Sequence, residues 1–375
     1  MSRPRRAALA AALLTAALVP VVPLAVDAAA PPVDGHLAAV TAGWDGEQAP
    51  RSFTDLRTMN PEYDFMARTF TVLALADHAL ATPGSADADL QVIDTILRDT
   101  LTYDDPRHWL LPYADASPWR GDGHSLFVDG ELLVMLAARR LVRDDAPEWQ
   151  AETLRRADAV VANLGSATPL PLAESYPNEG WTFCHTMALV GLRMHEVLDG
   201  ADHDAPRDAW VTYARERLVD LDSGLLISEF TMDGAPQDGP EGSSLWFTTV
   251  ALRLIDPALA DTQYAGAKQA LGGTVFGWGY AREWPAGSRR YVDVDSGPIV
   301  PIINASASSS GFAIVASRAA GDDDWNRELV HALAAANAVM TVDPFLAAAA
   351  DNAIGQSVIA WGLGFGPLWA KVGPP

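Results

Sequence analysis

The sequence predicts an all-α protein, an (α/α)6 toroid of six inner and six outer helices. Apolar residues recur at three- and four-residue spacing in long segments. Segments apolar nearly all round alternate about six times with amphipathic ones, and no Ser/Gly linker divides the chain. A helix apolar around its whole circumference must be enclosed, whereas an amphipathic one can face water on one side. The apolar set therefore forms an inner ring and the amphipathic set an outer one. The competing arrangement is an irregular helical bundle.

Residues 1–30 read as an address rather than as part of the fold. Arg3, Arg5 and Arg6 precede an Ala/Leu/Val run from Ala7 to Val22, and Ala28-Ala29-Ala30 supplies small residues for cleavage. That is the pattern of a secretory signal. A membrane anchor fits less well, because Pro20 and Pro23 interrupt a run barely long enough to span. Residues 31–375 read as one exported domain, secreted or periplasmic, with no later stretch suited to crossing a bilayer. The inner helices are Tyr63–Leu80, Leu126–Val142, Thr182–Leu198, Leu245–Leu254, Gly311–Ala320 and Ile354–Trp369. They start at intervals of roughly 50 to 60 residues, as an array of helix pairs requires. Between them lie Asp87–Leu101, Glu148–Leu164, Ala205–Leu218, Ala258–Leu271 and Trp325–Met340, each with a charged face. Leu225–Phe230 beside Asp233-Gly234 reads as one small β-hairpin.

Composition limits the function. The net charge of −22 offers no basic patch for phosphates, so nucleic acid is excluded as a partner. A single cysteine cannot form an internal disulfide. The eight histidines are scattered without H-E-x-x-H spacing, and the acids lack the EF-hand pattern. No metal or cofactor is therefore expected. Asp293-Val294-Asp295 reads as a capped turn rather than a Ca²⁺ site. No Gly-rich phosphate loop and no G-x-S-x-G elbow occurs, and Ser306–Gly311 reads as close packing at a helix start.

In a toroid of helical hairpins the inner helices run parallel, so the segments leading into them meet at one rim. Those segments combine carboxylates, aromatics and Gly/Pro: residues 59–64, 122–131, 174–184, 238–246 and 280–298. Taken singly, acids at helix starts are ordinary caps, Asp64 and Asp129 among them, and Trp181, Trp246, Trp284 and Trp361 could all be core. Their shared occurrence at one end points to a lined cavity. Glu131 carries most weight, because a carboxylate inside an apolar helix must be partnered or face a cavity. The candidate catalytic residues are Glu131, Glu174, Glu179 and Cys184. The candidate substrate-binding residues are Tyr63, Asp64, Tyr176, Trp181, Asp238, Glu241, Trp246 and Tyr280. Cys184 and His185 point about 100° apart on a helix, so they are no nucleophile–base pair. Cys184 reads equally well as a small buried residue.

Tyr176–Gly200 (YPNEGWTFCHTMALVGLRMHEVLDG), Ala209–Leu226 and Ser243–Tyr264 together resemble the linalool dehydratase/isomerase family, over roughly residues 59–271. The resemblance implies an (α/α)6 toroid, export, oligomerisation, and cofactor-free interconversion of a tertiary allylic terpene alcohol with its isomer and a diene. It places the family's second active-site cysteine on Cys184, its first on Ser175, and its active-site histidine on Glu131. A site tyrosine falls near Ser243, leaving Tyr280 to fill the space. Most of that chemistry is thus replaced, and fold transfers more safely than function.

The leading expectation is a lyase or isomerase acting on a small, largely apolar alcohol. C–O cleavage needs an acid, a base and a dry pocket, which Glu131, Glu174 or Glu179, and Tyr176, Trp181 and Trp246 would supply. The alternative is a glycoside hydrolase or polysaccharide lyase with paired carboxylates. A third reading is a non-catalytic binding protein.

Overall fold

The computed structural model describes residues 33–375 apart from 47, 104, 113–116, 286–298, 301–303 and 341–351. The expected signal at residues 1–30 and the Asp293–Asp295 turn lie outside the described residues. Fourteen α-helices are labelled in chain order. The first two are α1 (Val33–Thr41) and α2 (Arg51–Arg57). Inner and outer helices then alternate: α3 (Pro61–Ala81), α4 (Ala86–Thr100), α5 (Leu126–Val142), α6 (Pro147–Asn163), α7 (Thr182–Asp199) and α8 (Asp204–Arg217). They continue with α9 (Gly242–Leu252), α10 (Pro257–Leu271), α11 (Ala307–Ala319), α12 (Asp323–Met340) and α13 (Ala353–Gly364), followed by the short α14 (Pro367–Val372).

The toroid follows from which helices touch. α3 packs on α5, α5 on α7, α7 on α9, α9 on α11, α11 on α13, and α13 returns to α3, so the inner set closes into a ring of six. The six inner helices start within four residues of where the apolar pattern places them, because enclosure demands apolarity on every side: all residues from Leu126 to Leu141 of α5 are buried. Close approach at the tightest seam depends on glycine. A Cβ at Gly130 would lie 3.0–3.2 Å from the Cβ, Cα and N of Ala188, so α5 and α7 meet there almost backbone to backbone.

The outer layer also matches, with one addition. α4 lies against α3 and α5, α6 against α5 and α7, α10 against α9, and α12 against α11. α8 sends the buried Trp210 toward His185 of α7, with ring centroids 6.1 Å apart. The sixth outer position is filled by α1, which packs on α13 and α3. Only nine residues long, α1 has too little periodicity to announce itself.

Strands are more numerous than the single expected hairpin. β1 (Glu179–Trp181), β2 (Glu229–Thr231) and β3 (Pro236–Asp238) form an antiparallel sheet in the order β1-β2-β3. The turn after β2 carries Gly234 at φ +82°, so the Asp-Gly signal is correct although the strand starts later than the apolar run suggested. β4 (Gly272–Val275) and β5 (Trp278–Ala281) form a second hairpin through Phe276 and Gly277, both at positive φ. β6 (Ile299–Val300) pairs with β7 (Ala305–Ser306).

One end of the ring is closed. Phe70 (α3), Phe247 (α9), Phe312 (α11) and Trp361 (α13) pack against one another, mostly edge to face, at centroid distances of 5.1–6.3 Å, and Phe183 of α7 joins Phe247 at 4.4 Å. α3 and α9 stand opposite each other in the ring, so this cluster fills its middle. Beneath it α14 packs on α3, α5 and α7. Its Leu368 N–H donates to Asp77 Oδ1 at 2.7 Å, and the Trp369 indole donates to the Val250 carbonyl at 3.1 Å. Among the described residues no helix is long and apolar enough to cross a membrane.

Candidate functional site

The inner helices begin at one rim of the ring. The first N–H groups of a helix lack intrahelical partners, and here the segment preceding the next inner helix supplies them. Leu126 N–H donates to the Glu174 carbonyl (2.8 Å), Thr182 N–H to that of Ser228 (2.9 Å), and Gly242 N–H to that of Glu283 (2.7 Å). Side chains reinforce this lacing: Ser125 Oγ donates to the Ser175 carbonyl at 2.7 Å, and Glu241 N–H donates to Ser228 Oγ at 3.0 Å. Segments distant in sequence are thereby gathered at a single rim.

Glu131 sits on α5 below that rim and is fully buried. Its Oε2 accepts a hydrogen bond from the Thr69 hydroxyl of α3, while Oε1 has no hydrogen-bond partner in the protein. Burial pushes its pKa up to about 8, against a smaller downward pull from Thr69. The group is therefore mostly a neutral acid at pH 7. Cys184, on the third residue of α7, is buried as well. Burial holds its thiol well above the usual range; a hydrogen bond with Ser175 opposes this, and the carboxylates of Glu131, Glu62 and Glu179 add to it in that order. Cys184 is thus a neutral thiol that feels the charge of nearby acids rather than a thiolate nucleophile.

Glu62 is the member of this group that sequence reasoning passed over in favour of Asp64. Glu62 and Thr69 are seven residues apart on α3 and share a face, and Thr69 is the residue that meets Glu131. That spacing was a readable signal once Glu131 was singled out. Asp64 points elsewhere. It is buried in an ion pair with Arg68 (2.8 Å), whose guanidinium also binds Asp99 (2.6 Å) and lies over the Trp44 and Trp109 rings. Its substrate-binding assignment is corrected to a structural one.

The other predicted residues divide in the same way. Glu179 lies partly exposed on β1, where its carboxylate accepts from the Trp181 indole at 2.6 Å, so these two form one unit at the rim. Tyr176 is buried beside them, bridged through its backbone to Glu179. Tyr63 is half-buried at the start of α3. Glu174 is buried but committed: its carboxylate accepts from the backbone N–H groups of Arg120 (2.9 Å), Gly121 (2.7 Å) and Asn178 (2.5 Å). It fixes two loops and is a positioning group, not a proton carrier. Glu241 is buried at the N-cap of α9, and Asp238 sits half-buried at the end of β3, accepting from Gly239 N–H at 2.7 Å.

Two aromatic assignments are corrected. Trp246 is fully buried between the layers, against Tyr264 and Trp325, and donates to Ser309 Oγ at 3.0 Å. It faces outward from the ring, toward α10 and α12. Tyr280 lies on β5 across from Gly273, and its hydroxyl accepts from Arg282 at 3.0 Å, which ties it to the hairpin.

Two further buried groups hold the rim together. Glu283 is fully buried and takes hydrogen bonds from Ser243 N–H (2.9 Å) and Oγ (2.6 Å) and from Ser306 Oγ (2.6 Å). It thereby clamps the starts of α9 and α11, a role hidden in sequence because it depends on which loops meet. His185 is buried with Nδ1 donating to the Trp181 carbonyl (2.8 Å) and Nε2 accepting from Ala173 N–H (3.0 Å). Burial lowers its pKa to about 4, so it is a neutral structural histidine turned away from Cys184. Among the described residues no cluster of three His, Cys, Asp or Glu is placed to hold a metal ion.

No protein-family model matches the chain, and no curated protein matches it. Among solved structures it is similar in shape to a GH76 alpha-mannanase from Bacteroides thetaiotaomicron, at 12% identity and a TM-score of 0.49, over 82% of this chain and 86% of that one.

Proposed function

We propose that the chain is an enzyme that breaks a carbon–oxygen bond in a small substrate, with Glu131 as the acid that protonates the departing oxygen. One observation carries this reading: a fully buried carboxyl that is neutral at pH 7 and keeps one oxygen without a protein partner. Thr69 donates to Oε2, so the transferable proton belongs on Oε1. A general acid works best when its pKa lies near the working pH. Glu62 and Glu179, nearer the rim, are the candidates for the base.

Two substrate classes fit this chemistry. For a small apolar alcohol, Glu131 gives its proton to the hydroxyl, water leaves, and a rim carboxylate removes the proton from the neighbouring carbon. The apolar surroundings support this class: Phe183, Phe247 and Phe70 form a dry floor on which positive charge can develop. Terpene alcohols, the substrates implied by the family resemblance, are of this kind. For a glycoside, the same acid protonates the glycosidic oxygen while the second carboxylate activates water or attacks the sugar. The presence of more than one carboxylate around the same thiol favours that class.

Mass spectrometry after incubation with linalool and with mannan separates the two, since a diene marks dehydration and released mannose marks hydrolysis. Glu131→Gln abolishes either activity while leaving the fold intact. A Gln variant that retains turnover removes Glu131 from the role of acid.

A further inference from the structure

We infer that His195 and His203 form an acid-operated catch at the corner between α7 and α8: their ring nitrogens share one hydrogen, and protonating both rings breaks the contact and frees the start of α8. The catch lies on the outer layer and is independent of the acid–base reading above.

The geometry fixes how many hydrogens the contact can hold. His195 Nδ1, near the end of α7, lies 3.0 Å from Nε2 of His203, the N-cap residue of α8. The ring centroids are 5.2 Å apart, close to the most that a 3.0 Å nitrogen contact permits, and the ring planes differ by 28°. The rings therefore meet tip to tip with the two nitrogens aligned, which is the arrangement of an N–H···N hydrogen bond. A metal ion would need the two lone pairs to converge on a point beside that line. Among the described residues no third His, Cys, Asp or Glu joins them to hold one.

The partners assign the hydrogens. On its far side His195 Nε2 lies 3.2 Å from Asp199 Oδ2, and an ionised carboxylate only accepts. Nε2 of the neutral His195 ring therefore carries the hydrogen, Nδ1 accepts, and His203 donates from Nε2. Asp199 is fixed in turn by Arg140 of α5, which reaches its two oxygens at 2.7 and 2.8 Å. One extra proton is tolerated, because whichever ring takes it, one nitrogen of the contact still lacks a hydrogen. A second puts hydrogens on both facing nitrogens, and the contact cannot survive that.

The surroundings give the direction of the response. The charged groups facing the pair are Asp199 and Glu196 of α7, Arg140 of α5, Asp158 of α6, and Asp202 and Arg207 around the start of α8. Burial is the largest influence on both rings and lowers both pKa values despite the nearby acids. A histidine freed from the contact titrates near 6.5. The contact therefore stabilises the corner above that pH and loses its contribution as pH falls below it. Only two other side chains on α8 are seen to reach α7: Arg207 donates to Glu196 at 2.7 Å, and Trp210 lies against His185.

Hydrogen exchange of the full chain, followed by mass spectrometry and corrected for the intrinsic pH dependence of exchange, tests this in peptides spanning residues 200–217. Between pH 7.5 and 5 opening there should rise at least about tenfold, the effect of one proton that only the open corner can take. Peptides of α10 should stay level. His203→Gln should cut the rise to less than about threefold, because its amide offers a donor or, turned over, an acceptor where Nε2 stood. Long-range 1H–15N correlation on histidine-labelled wild type at pH 7.5 should show His195 carrying its hydrogen on Nε2. Level exchange in the wild type, an equal rise in His203→Gln, or a His195 hydrogen on Nδ1 at pH 7.5 overturns the inference.

Discussion

Replacing Glu131 by Gln should alter stability in a manner that depends on pH. In the folded protein the carboxyl keeps its proton up to about pH 8, whereas in the unfolded chain it releases it near its ordinary value of 4.5. Between those limits unfolding frees a proton, so the native state loses about 1.4 kcal/mol for each unit that pH rises. Over the whole window the loss is on the order of 4–5 kcal/mol. Gln carries no proton to lose, and its carbonyl can still accept from Thr69. Wild type and Glu131→Gln should therefore match within about 1 kcal/mol at pH 4. The variant should then gain steadily and level off above pH 8, ahead by several kcal/mol, or roughly 10 °C in Tm. Urea unfolding of both proteins from pH 4 to 9 measures the difference directly. Groups common to the two cancel, including Asp77, which burial raises to about 7. A difference profile that is flat over this range would refute the reasoning, because it would mean that Glu131 is solvated in the native state.

Three other outcomes follow from the packing. Glu174→Gln exchanges a carboxylate that accepts from three backbone N–H groups for an amide with one acceptor, and should cost about 1–3 kcal/mol in urea unfolding with faster proteolysis near residues 120–121. Gly130→Ala forces a methyl group into the Ala188 backbone and should destabilise by about 1–3 kcal/mol in the same assay. Cys184, buried and neutral, should react with iodoacetamide at pH 8 on the order of 100-fold more slowly in the native protein than in urea.

Helix starts were legible because enclosure leaves no freedom. An inner helix has no wet face, so its start lies near that of the apolar pattern, coinciding with it at Leu126 and Thr182; α9 and α11 begin three and four residues earlier, where Gly242 and the serines at 308–310 carry no apolar signal. Orientation about the helix axis was less legible. Asp64 and Glu62 are two residues apart and point about 200° apart, and only the position of Thr69 beside Glu131 decides between them. Trp246 failed for the same reason: a tryptophan in an apolar helix can turn inward or between the layers, and Tyr264 and Trp325, both remote in sequence, determine which. The roles of Glu174 and Glu283 were out of reach because each is defined by backbone N–H groups or serines from other turns of the ring. Glu131 was found because a lone carboxylate in such a helix conflicts with its own surroundings.

The ring also constrains the order of assembly. Its last seam joins α13 and the short helix beneath it to α3 and α1, so Asp77 waits for an amide 291 residues further along the chain. A nascent chain that has reached α12 is still an open crescent, with Phe70 and Phe247 bare along its inner edge. Folding should therefore finish in one late, long-range step, and until it does the incomplete crescent is the species a chaperone would hold.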